Sequence, residues 1–480
     1  MTKRAISLIL FAGILTSLAG CGSDASTDTT DAGTDAVETT AAPSEFTPVE
    51  ADYGGKPFII AENDVGDWMQ SAFIEEQNGE VLNDSIYERN RIVEELYNVD
   101  IQGFLIQGGR NVQNLEQLTS GILAGDKDFD VAYIPGQLSS KIFNTPDYVV
   151  FLSDIPTLDL SHSWWDASSA ESMTIKGQTI SVTGDMIVST TGSSTVTLFN
   201  KTLAEQFNLD IYGIVRDGKM TFDKMHSISV EVSADMNGDT EYNGDDDRFG
   251  LLLEGLNLPQ MILAAGEHLV VNDGNTLKFG LETAKVAEVV EAYMDVVDDK
   301  NAVLSTTDKR FKTDDGSGET SCFNENRLMF WVTNLQRMQS ARSYEAEFGL
   351  IPFPKYAESD EYVNPVNDYW CSWLIVPATN TELDRTGNVL DALGYYSQQK
   401  VTPAFIETAV TTKTLRDDES AEMLEMVLPN KIFDIGNYFD WGYWMLMNMA
   451  STHNRNIASQ VAAQKSSIEK KINAYLEVFE

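Results

Sequence analysis

Short apolar runs alternate with amphipathic helical patterns between residues 57 and 134, and this alternation constrains the fold more than any other feature of the chain. Pro57–Ala61, Val99–Ile106 and Asp130–Ile134 have the composition of buried strands. In the two intervening segments apolar residues recur on one helical face, at Ile86, Val93 and Tyr97, and then at Leu115, Leu118 and Ile122. Strand, helix, strand, helix, strand predicts a parallel sheet in an α/β domain.

The rest of the chain continues with a mixture of strand and helix patterns. Further strands are predicted at Thr197–Lys201, Leu328–Trp331, Phe348–Phe353 and Trp373–Val376. A further amphipathic helix is predicted around Val286–Tyr293, and the sequence from Leu383 onward is largely helical. The first helix carries a capping-box pattern, Ser85-Ile86-Tyr87-Glu88, which predicts that it begins there. Because no repeat and no internal tether interrupts the pattern, the two implied sheets are expected in one compact body.

The N-terminus carries an export signal. Lys3 and Arg4 precede a short apolar run that ends at Leu18-Ala19-Gly20-Cys21. A basic head, a short apolar segment and small residues before a cut predict a signal peptide over residues 1–20, too short to span a membrane. The cysteine after Leu-Ala-Gly looks like a bacterial lipobox, in which Cys21 receives a diacylglycerol. An ordinary signal followed by a chance cysteine is the alternative. The lipobox predicts a mature protein attached to the outer face of the cytoplasmic membrane.

Residues 21–50 have the composition of a disordered tether. Between Gly22 and Pro48 the sequence is mostly Ser, Thr, Asp, Ala and Gly, with almost no large apolar side chain. Such a segment cannot bury enough surface to offset its chain entropy. A flexible tether of about 27 residues has a root-mean-square span of roughly 30 Å. The globular part is therefore expected to start near residue 52 and to stand clear of the lipid surface.

Composition limits the class of partner. The 480 residues include 74 acidic and 33 basic side chains, which gives a formal net charge of −41, and 42% of the residues are hydrophobic. A globular body with this charge should repel nucleic acid and anionic polymers. Apart from Cys21 there are two cysteines, Cys322 and Cys371. They either form a disulfide or remain as two buried thiols, and the sequence leaves both open.

Motifs that would indicate catalysis are missing from the sequence. The four histidines are not spaced as a metal-binding pair, and there is no Gly-rich phosphate loop and no G-x-S-x-G elbow. The many carboxylates leave a chance Asp/Glu dyad of the glycosidase kind open. We therefore expect no enzyme activity and no required cofactor.

One acidic loop resembles half of a calcium-binding loop. Asp, Asn and Asp alternate at its start, but Thr240 stands where the sharp turn needs glycine. The oxygen ligands of this expected structural calcium site would be Asp235, Asn237, Asp239, Glu241, Asp246 and Asp247. A solvated acidic loop is the alternative.

Five stretches, taken in order, resemble a known family. They are Asn83–Asn90, Val93–Val99, Leu198–Ala204, Phe348–Tyr356 and Leu415–Leu424. Their order resembles the extracellular solute-binding proteins, family 1, of Gram-positive bacteria, which deliver sugars to ABC importers. The likeness runs from about residue 52 to 480.

The resemblance implies a two-lobed periplasmic-binding-protein type II fold with a hinged cleft between two α/β lobes. Chain crossings between the lobes are expected near Gly192–Val196, near Trp373–Ile375 and near Val410. Lobe one would then comprise residues 52–192 plus 376–410, and lobe two residues 196–373 plus 411–480. Ligands of open α/β sheets bind beyond the carboxyl ends of the strands, where a cleft closes over them.

A sugar site needs aromatic faces for C–H patches and planar polar groups for hydroxyls. The predicted ligand-binding residues are those at a crossing (Asp368, Tyr369, Trp370, Trp373), at the end of a strand (Trp331), in the C-terminal aromatic cluster (Trp441, Trp444) and after first-lobe strands (Asn63, Asp64, Tyr133, Gln137). Ordinary core packing is the alternative for each aromatic, and a solvated loop is the alternative for each polar residue.

These features together lead to an expected function. The chain is expected to be a monomeric, lipid-anchored substrate-binding component of an ABC importer, which binds a mono- or oligosaccharide by lobe closure and presents it to the membrane permease. The alternatives are a lipid-anchored glycosidase and a surface sugar adhesin or sensor. Peptides and cationic solutes stay open as ligands, and so does a Gram-negative lipoprotein that faces the periplasm.

Overall fold

The computed structural model describes residues 45–63, 71–106, 112–306, 310–311, 317–341, 343–410 and 418–479. The predicted signal peptide, Cys21, most of the predicted tether and Asp64 lie outside these ranges. The chain from Ala41 to Glu480 forms one compact unit. Among the helices of the described residues, none is both long and apolar enough to cross a membrane.

The strands are short and follow one another in the chain with helices between most of them. They are β1 Lys56–Asn63, β2 Val99–Ile106, β3 Val131–Pro135, β4 Val149–Val150, β5 Thr174–Ile175, β6 Gln178–Thr179, β7 Thr195–Asn200, β8 Phe249–Leu253, β9 Val270–Asn272, β10 Leu277–Phe279, β11 Val303–Ser305, β12 Leu328–Asn334, β13 Phe348–Pro352, β14 Asn364–Pro365, β15 Ser372–Pro377 and β16 Lys431–Ile432.

The α-helices become more frequent toward the C-terminus. They are α1 Val81–Tyr97, α2 Val112–Ala124, α3 Ser140–Phe143, α4 Ala167–Ser172, α5 Val188–Gly192, α6 Lys201–Gln206, α7 Ile211–Arg216, α8 Phe222–Val232, α9 Asn257–Ala264, α10 Ala284–Val297, α11 Ser317–Asn324, α12 Met338–Ala341, α13 Leu383–Tyr396, α14 Thr402–Val410, α15 Asp418–Val427, α16 Ile435–Tyr438, α17 Tyr443–Ser451 and α18 Ile457–Leu476.

The first sheet has five strands in the order β2-β1-β3-β15-β4. Strand β1 pairs in parallel with both β2 and β3, which confirms the parallel sheet predicted from the alternating pattern. Strand β15 arrives from much later in the chain and pairs antiparallel to β3 and β4. Its Leu374 joins Phe58, Ile60 and Val131 in a core that α13 covers through Val389.

The second sheet has the order β11-β8-β12-β7-β13. Strands β11, β8 and β12 are parallel, and β7 is antiparallel to both β12 and β13. All five residues of β8 are buried, because a central parallel strand is covered on both faces. The sheet is therefore mixed: β11, β8 and β12 are parallel neighbours, and β7 runs in the opposite direction on the other side of β12.

Two crossings join the sheets at corresponding edges. The chain leaves the first-sheet side after α5 and enters β7 at Thr195, which lies opposite Asn334 at the carboxyl end of β12. It returns to the first sheet at Ser372, which lies opposite Pro135 at the carboxyl end of β3. The carboxyl ends of the parallel strands of both sheets thus lie on the side of the crossings, where this class of fold binds ligands.

The crossing positions can be compared with those that the resemblance implies. The first, at Gly192–Val196, agrees with the entry into β7. The second was expected near Trp373–Ile375; the chain enters the first sheet at Ser372, and Trp373 and Ile375 pair with Ile134 and Ala132. Near the third expected position α14 ends at Val410, and the described chain resumes in α15, which packs on β13. The lobe boundaries otherwise stay a prediction.

Helix α1 begins earlier than the capping-box pattern predicts. Its first residue is Val81, so Ser85 lies inside the helix and its Oγ donates to the carbonyl of Val81 at 2.7 Å. The carboxylate of Asp84 instead accepts hydrogen bonds from the backbone of Asn78 and Gly79, which holds the preceding loop. This prediction was wrong because the helix begins about one turn earlier, after Glu80, which makes no side-chain capping hydrogen bond.

Both cysteines outside the predicted signal are free. Cys322 and Cys371 are buried and form no disulfide. Of the two alternatives that the sequence leaves open, two buried thiols is the correct one.

Candidate functional site

A groove of about 610 Å³ lies between the segment that follows β3 and the C-terminal helices. One wall comes from a 3₁₀ turn, Gly136–Leu138, and from α3, and the other from the α16–α17 turn and the end of α18. Its lining residues are Gln137, Leu138, Ser140, Lys141, Asn144, Pro146, Phe439, Asp440, Trp444, Lys471, Ala474, Tyr475 and Val478. The volume falls in the range of small-molecule sites.

The first wall is held by hydrogen bonds to the second crossing and to α16. The backbone N–H of Gly136 donates to the carbonyl of Cys371 at 2.8 Å. Ser139 Oγ donates to the carbonyl of Tyr438 at 2.8 Å, and Asn144 Nδ2 donates to that of Phe439 at 3.0 Å. A Cβ on Gly136 would lie 2.3 Å from a backbone oxygen of the crossing, so only glycine fits at this close approach.

The opposite wall places an aromatic face at the groove. Asp440 (φ 54°) and Gly442 (φ 114°) adopt left-handed conformations that turn the chain between α16 and α17. Trp444 follows at the start of α17, with 44% of its surface exposed, and its ring lies 5.4 Å from that of Tyr443. An exposed tryptophan in a groove is a platform for an apolar ligand face. Gln137 on the first wall supplies an amide.

A buried carboxyl group lies at the second crossing, beside the groove wall. Asn437 Nδ2 of α16 donates to Asp368 Oδ2 at 2.6 Å. Burial raises the pKa of Asp368 to about 8, although hydrogen bonds from Tyr438 and Asn437 act in the opposite direction. At neutral pH this carboxyl group therefore retains its proton and can donate a hydrogen bond.

Several buried polar atoms near Asp368 lack a partner among the described residues. They are Asn367 Oδ1, Asn437 Oδ1 and the hydroxyl of Tyr443, the last within electrostatic range of Asp368. Folded proteins leave few buried polar groups unsatisfied, so such a cluster marks a place where water or a ligand completes the hydrogen bonds. None of these groups is among the lining residues of the groove, so the candidate site comprises the groove and this buried cluster next to its wall.

Two charged residues at the edge of the second sheet were not predicted from the sequence. Glu254 follows β8, and burial raises its pKa while Arg337, which follows β12, lowers it. The Arg337 guanidinium lies 4.3 Å from the Trp331 ring centroid, and its Nε donates to Thr333 Oγ1 at 3.0 Å. The apolar run Phe249–Leu253 could have indicated a buried strand. The residue after such a strand, here Glu254, lies at the ligand-binding edge of the sheet.

The fold has counterparts among solved structures, although neither a family model nor a curated protein matches the sequence. One is an ABC-transporter solute-binding protein of Thermotoga lettingae bound to α-D-tagatose, with 12% identity and a TM-score of 0.53 over 88% of this chain and 100% of that one. The chain has the fold of ABC solute-binding proteins. This confirms the two-lobed fold class expected from the sequence resemblance.

Two further solute-binding proteins show the same likeness. UgpB of Mycobacterium tuberculosis, in complex with glycerophosphocholine, is 14% identical with a TM-score of 0.56, over 88% of this chain and 98% of that one. The cyclic α-maltosyl-1,6-maltose-binding protein of Arthrobacter globiformis is 14% identical with a TM-score of 0.55, over 88% and 99%. At such identities the likeness establishes the fold of this solute-binding-protein-like chain and leaves its ligand to be proposed.

Among the predicted ligand-binding residues, the structure brings Gln137 and Trp444 together in the groove. Asp368 lies beside them on the second crossing, followed by Tyr369 and Trp370, whose partly exposed rings are 5.3 Å apart. These five positions converge on one region, and their contact with a ligand stays a prediction.

The other predicted tryptophans are packed in the interior. Trp331, Trp373 and Trp441 are almost completely buried. The ring of Trp373 lies 4.4 Å from that of Tyr438, and that of Trp441 lies 4.5 Å from that of Phe439. For these three the placement favours the core-packing alternative.

On the first sheet, Tyr133 and Asn63 are also buried. Tyr133 lies opposite Glu62 in the pairing of β3 with β1, and burial raises its pKa. Glu62, whose pKa burial raises to about 7, accepts hydrogen bonds from the amides of a neighbouring loop, and Arg89 donates to carbonyls of the same loop. Tyr133 is thus buried beside Glu62 and Arg89, and its hydroxyl has no hydrogen-bond partner among the described residues. Asn63 ends β1 at the ligand-binding edge.

Carboxylates of the acidic loop accept hydrogen bonds from backbone amides of the same loop. Asp235 accepts hydrogen bonds from the backbone of Gly238 and Thr240, Asp239 from Glu241, and Asp247 from Met236 and Asn243. In the part of the chain that the structure describes, no group of three or more His, Cys, Asp or Glu side chains is placed to hold a metal ion. Calcium binding by this loop, with Asn237, Glu241 and Asp246 among the expected ligands, stays a prediction.

Proposed function

We propose that this chain is the substrate-binding component of an ABC importer and that its ligand is a mono- or oligosaccharide. The observation that carries the proposal is the fold, which solved ABC solute-binding proteins share over 88% of this chain and nearly all of their own length. Two of these proteins bind a sugar, α-D-tagatose in one and cyclic α-maltosyl-1,6-maltose in the other.

The chemistry of the candidate site supports a neutral, hydroxyl-rich ligand. Trp444 offers a flat apolar face to C–H groups, and Gln137, Asn437 and Tyr443 offer donors and acceptors for hydroxyl groups. The protonated carboxyl group of Asp368 adds a donor without adding a charge. Such a combination orients a sugar ring in a site from which water is excluded.

Binding would favour closure because the two groove walls come from opposite sides of the crossings. Gln137 follows a first-sheet strand, whereas Trp444 lies on α17, which packs on α9 at the second sheet. A ligand that contacts both walls has a higher affinity for the arrangement in which they are close, and this difference shifts the population toward it. In this proposal the chain leaves its ligand chemically unchanged.

We also propose that a diacylglycerol on Cys21 attaches the chain to the outer face of the cytoplasmic membrane and that the closed form is recognised by the permease. Support for the anchor is the lipobox-like Leu18–Cys21 after a basic head and an apolar run. The polar segment that follows is long enough to let the globular part reach a neighbouring membrane complex.

The test is thermal unfolding of the chain from Gly22 onward against a panel of mono- and oligosaccharides, with peptides and polyamines as comparison ligands. A ligand at a hundredfold excess over its Kd stabilises by about 2.7 kcal/mol. With an unfolding entropy of about 2.1 cal/mol/K for each of roughly 440 residues, this is about 3 °C. We expect that shift with one class of sugar, and calorimetry then gives the Kd.

A matched pair of variants locates the site. Trp444→Ala should weaken sugar binding at least tenfold, whereas Leu123→Ala, at an exposed apolar residue of α2, should leave it unchanged. A shift with peptides or amines alone would overturn the sugar assignment and keep the importer proposal. Release of reducing sugar from an oligosaccharide would contradict a pure binding role, and a panel without any shift would contradict the proposal itself.

A further inference from the structure

A partly buried ion cluster lies apart from the groove. Lys431 Nζ on β16 lies 3.1 Å from Asp166 Oδ2, and their side chains are only 17% and 10% exposed. A second acidic residue, Asp185, lies near the same ammonium; burial raises its pKa, and Thr402 and Lys431 act in the opposite direction. These three residues are separate from the groove lining and take no part in the ligand site described above.

Both carboxylates belong to a segment that is attached to the first sheet. Asp166 caps α4 by accepting a hydrogen bond from Ser169 N at 3.0 Å, and its own N–H donates to the carbonyl of Thr183 at 2.9 Å. The residues beside Asp166 and Asp185 form a bridge, Trp165 with Gly184. A second bridge joins Val182 to Leu374 of β15, which fixes this segment to the first sheet.

The lysine lies on a separate two-stranded sheet, β14–β16, which is hydrogen-bonded to β7 of the second sheet. Lys431 lies opposite Asn364 in the pairing of β16 with β14. The side chain of Asn364 accepts a hydrogen bond from Thr195 N of β7 at 2.8 Å. Pro365 O accepts from Thr195 Oγ1 at 2.6 Å and from Gln260 Nε2 of α9 at 3.1 Å. The ion pair therefore bridges the two sheets.

The cluster also lies next to chain segments that would act as hinges if the two sheets moved relative to each other. Cys371, on the second crossing, is fully buried within electrostatic range of Lys431 and Asp166. Asp185 accepts hydrogen bonds from Thr402 Oγ1 at 2.7 Å and from Gln398 Nε2 at 3.1 Å. Gln398 lies in a π-helical turn, Ser397–Val401, between α13 and α14, and π turns inside helices are frequent at functional sites.

The charges of the cluster depend on one another. Burial by itself would lower the pKa of Lys431, yet the nearby carboxylates, Asp166 first and then Asp185, raise it above its usual value, so the ammonium stays charged. Removal of one partner from a buried ion pair leaves the other charge uncompensated, which is costly. An arrangement of the sheets that separates Lys431 from the two carboxylates has the same cost.

We propose that Lys431, Asp166 and Asp185 form an electrostatic lock that fixes the second sheet relative to the first and so sets how readily the groove changes its width. The lock acts through the placement of the two sheets alone, whatever the groove binds. Its test therefore needs no ligand, and its failure is distinguishable from failure of the proposed function.

The experiment measures the distance between one nitroxide label on each side. Leu123→Cys in α2 and Val230→Cys in α8 place labels at side chains that are 71% and 51% exposed. Because Cys322 and Cys371 are buried, they should stay unlabelled in the folded chain from Gly22 onward. Pulsed electron–electron double resonance on the ligand-free protein then gives the distribution of distances between the two labels.

The decisive variant is Asp166→Asn, which keeps an oxygen to cap α4 and removes the charge. Its matched control is Asp210→Asn, since Asp210 caps α7 in the same way, by accepting from Gly213 N at 2.9 Å, and is not part of the cluster. Because Asp166→Asn removes a charge-assisted hydrogen bond, the fraction of molecules outside the wild-type distance peak should rise about tenfold or more. The control should match the wild type.

Two further variants keep the test decisive if one fails to fold. Lys431→Met should broaden the distribution at least as much as Asp166→Asn, and Thr402→Val, which releases Asp185 from α14, should broaden it less. Circular dichroism checks that each variant is folded. An unchanged distribution in folded Asp166→Asn overturns the lock, and so does an equal change in Asp210→Asn, because loss of a cap would then explain both.

Discussion

Replacement of Asp368 by asparagine should change how the stability of the protein depends on pH. Burial raises the pKa of Asp368 to about 8 in the folded chain, against an ordinary value of 3.8. Between these two values the folded state holds a proton that the unfolded state releases, so the free energy of unfolding falls as pH rises. The stabilisation is complete below about pH 4 and is lost as the pH approaches 8. The asparagine of the variant has no proton to release.

The size of the effect follows from the linkage relation. A difference of one bound proton changes the free energy of unfolding by about 1.36 kcal/mol for each pH unit. From about pH 5 to about pH 7 the wild type should therefore lose about 2.7 kcal/mol relative to Asp368→Asn. With about 0.9 kcal/mol for each degree, for roughly 440 residues, the melting temperature of the variant should gain about 3 °C on the wild type over this range.

The assay compares urea unfolding of the two proteins at pH 5, 6 and 7, with thermal unfolding in parallel. Other titrating groups, including Glu62 with its raised pKa of about 7, are present in both proteins and cancel in the difference. The carbonyl of an asparagine at this position can still accept the hydrogen bond from Asn437, so the packing is retained. Asp100→Asn, at an exposed residue of β2, serves as the control. A stability difference between wild type and Asp368→Asn that stays constant from pH 5 to 7 would refute the reasoning, since Asp368 would then be ionised in the fold.

Three further predictions rest on single positions. Trp441→Ala should cost about 3–5 kcal/mol in urea unfolding, because the side chain is fully buried; a loss below about 1 kcal/mol would contradict this packing. Gly136→Ala should cost about 1–3 kcal/mol in the same assay, because its Cβ would lie 2.3 Å from the carbonyl oxygen of Asp368; an unchanged midpoint would mean that the turn relaxes freely. Cys322, whose pKa burial raises to about 12, and Cys371 should react with a thiol reagent only after unfolding, and rapid reaction in native buffer would show that the interior opens.

The spacing of apolar residues in the sequence predicted the parallel strands of the first sheet, but it missed a central strand of the second sheet. Val99–Ile106 was predicted with the same bounds that the structure has, because a strand between two helices is marked on both sides by a change of period. Strand β8, Phe249–Leu253, was missed, although it is the centre of the parallel part of the second sheet. A short run that is apolar on both faces has no alternation, and periodicity alone does not distinguish it from a buried helical turn.

The candidate site was predicted in part, for a similar reason. Trp441 and Trp444 are three residues apart, yet the first is buried and the second is at the groove. Gly442, which lies between the two tryptophans, has a left-handed conformation, and so has Asp440, directly before Trp441. These turns place the two side chains in different surroundings, which helical spacing does not reveal. Glu254 and Arg337 were missed because their positions depend on the unrecognised β8 and on the exact end of β12.

The late arrival of β15 has a consequence for how the protein is made. Strand β3 ends at Pro135, but its neighbour β15 starts at Ser372, so the first sheet is incomplete until synthesis has passed through the whole second sheet. Contacts of such long sequence separation form slowly, because a large loop must close before they contribute. A nascent chain of this topology keeps an open sheet edge for most of its synthesis. The arrival of residues 372–377 is therefore the step that completes the first sheet.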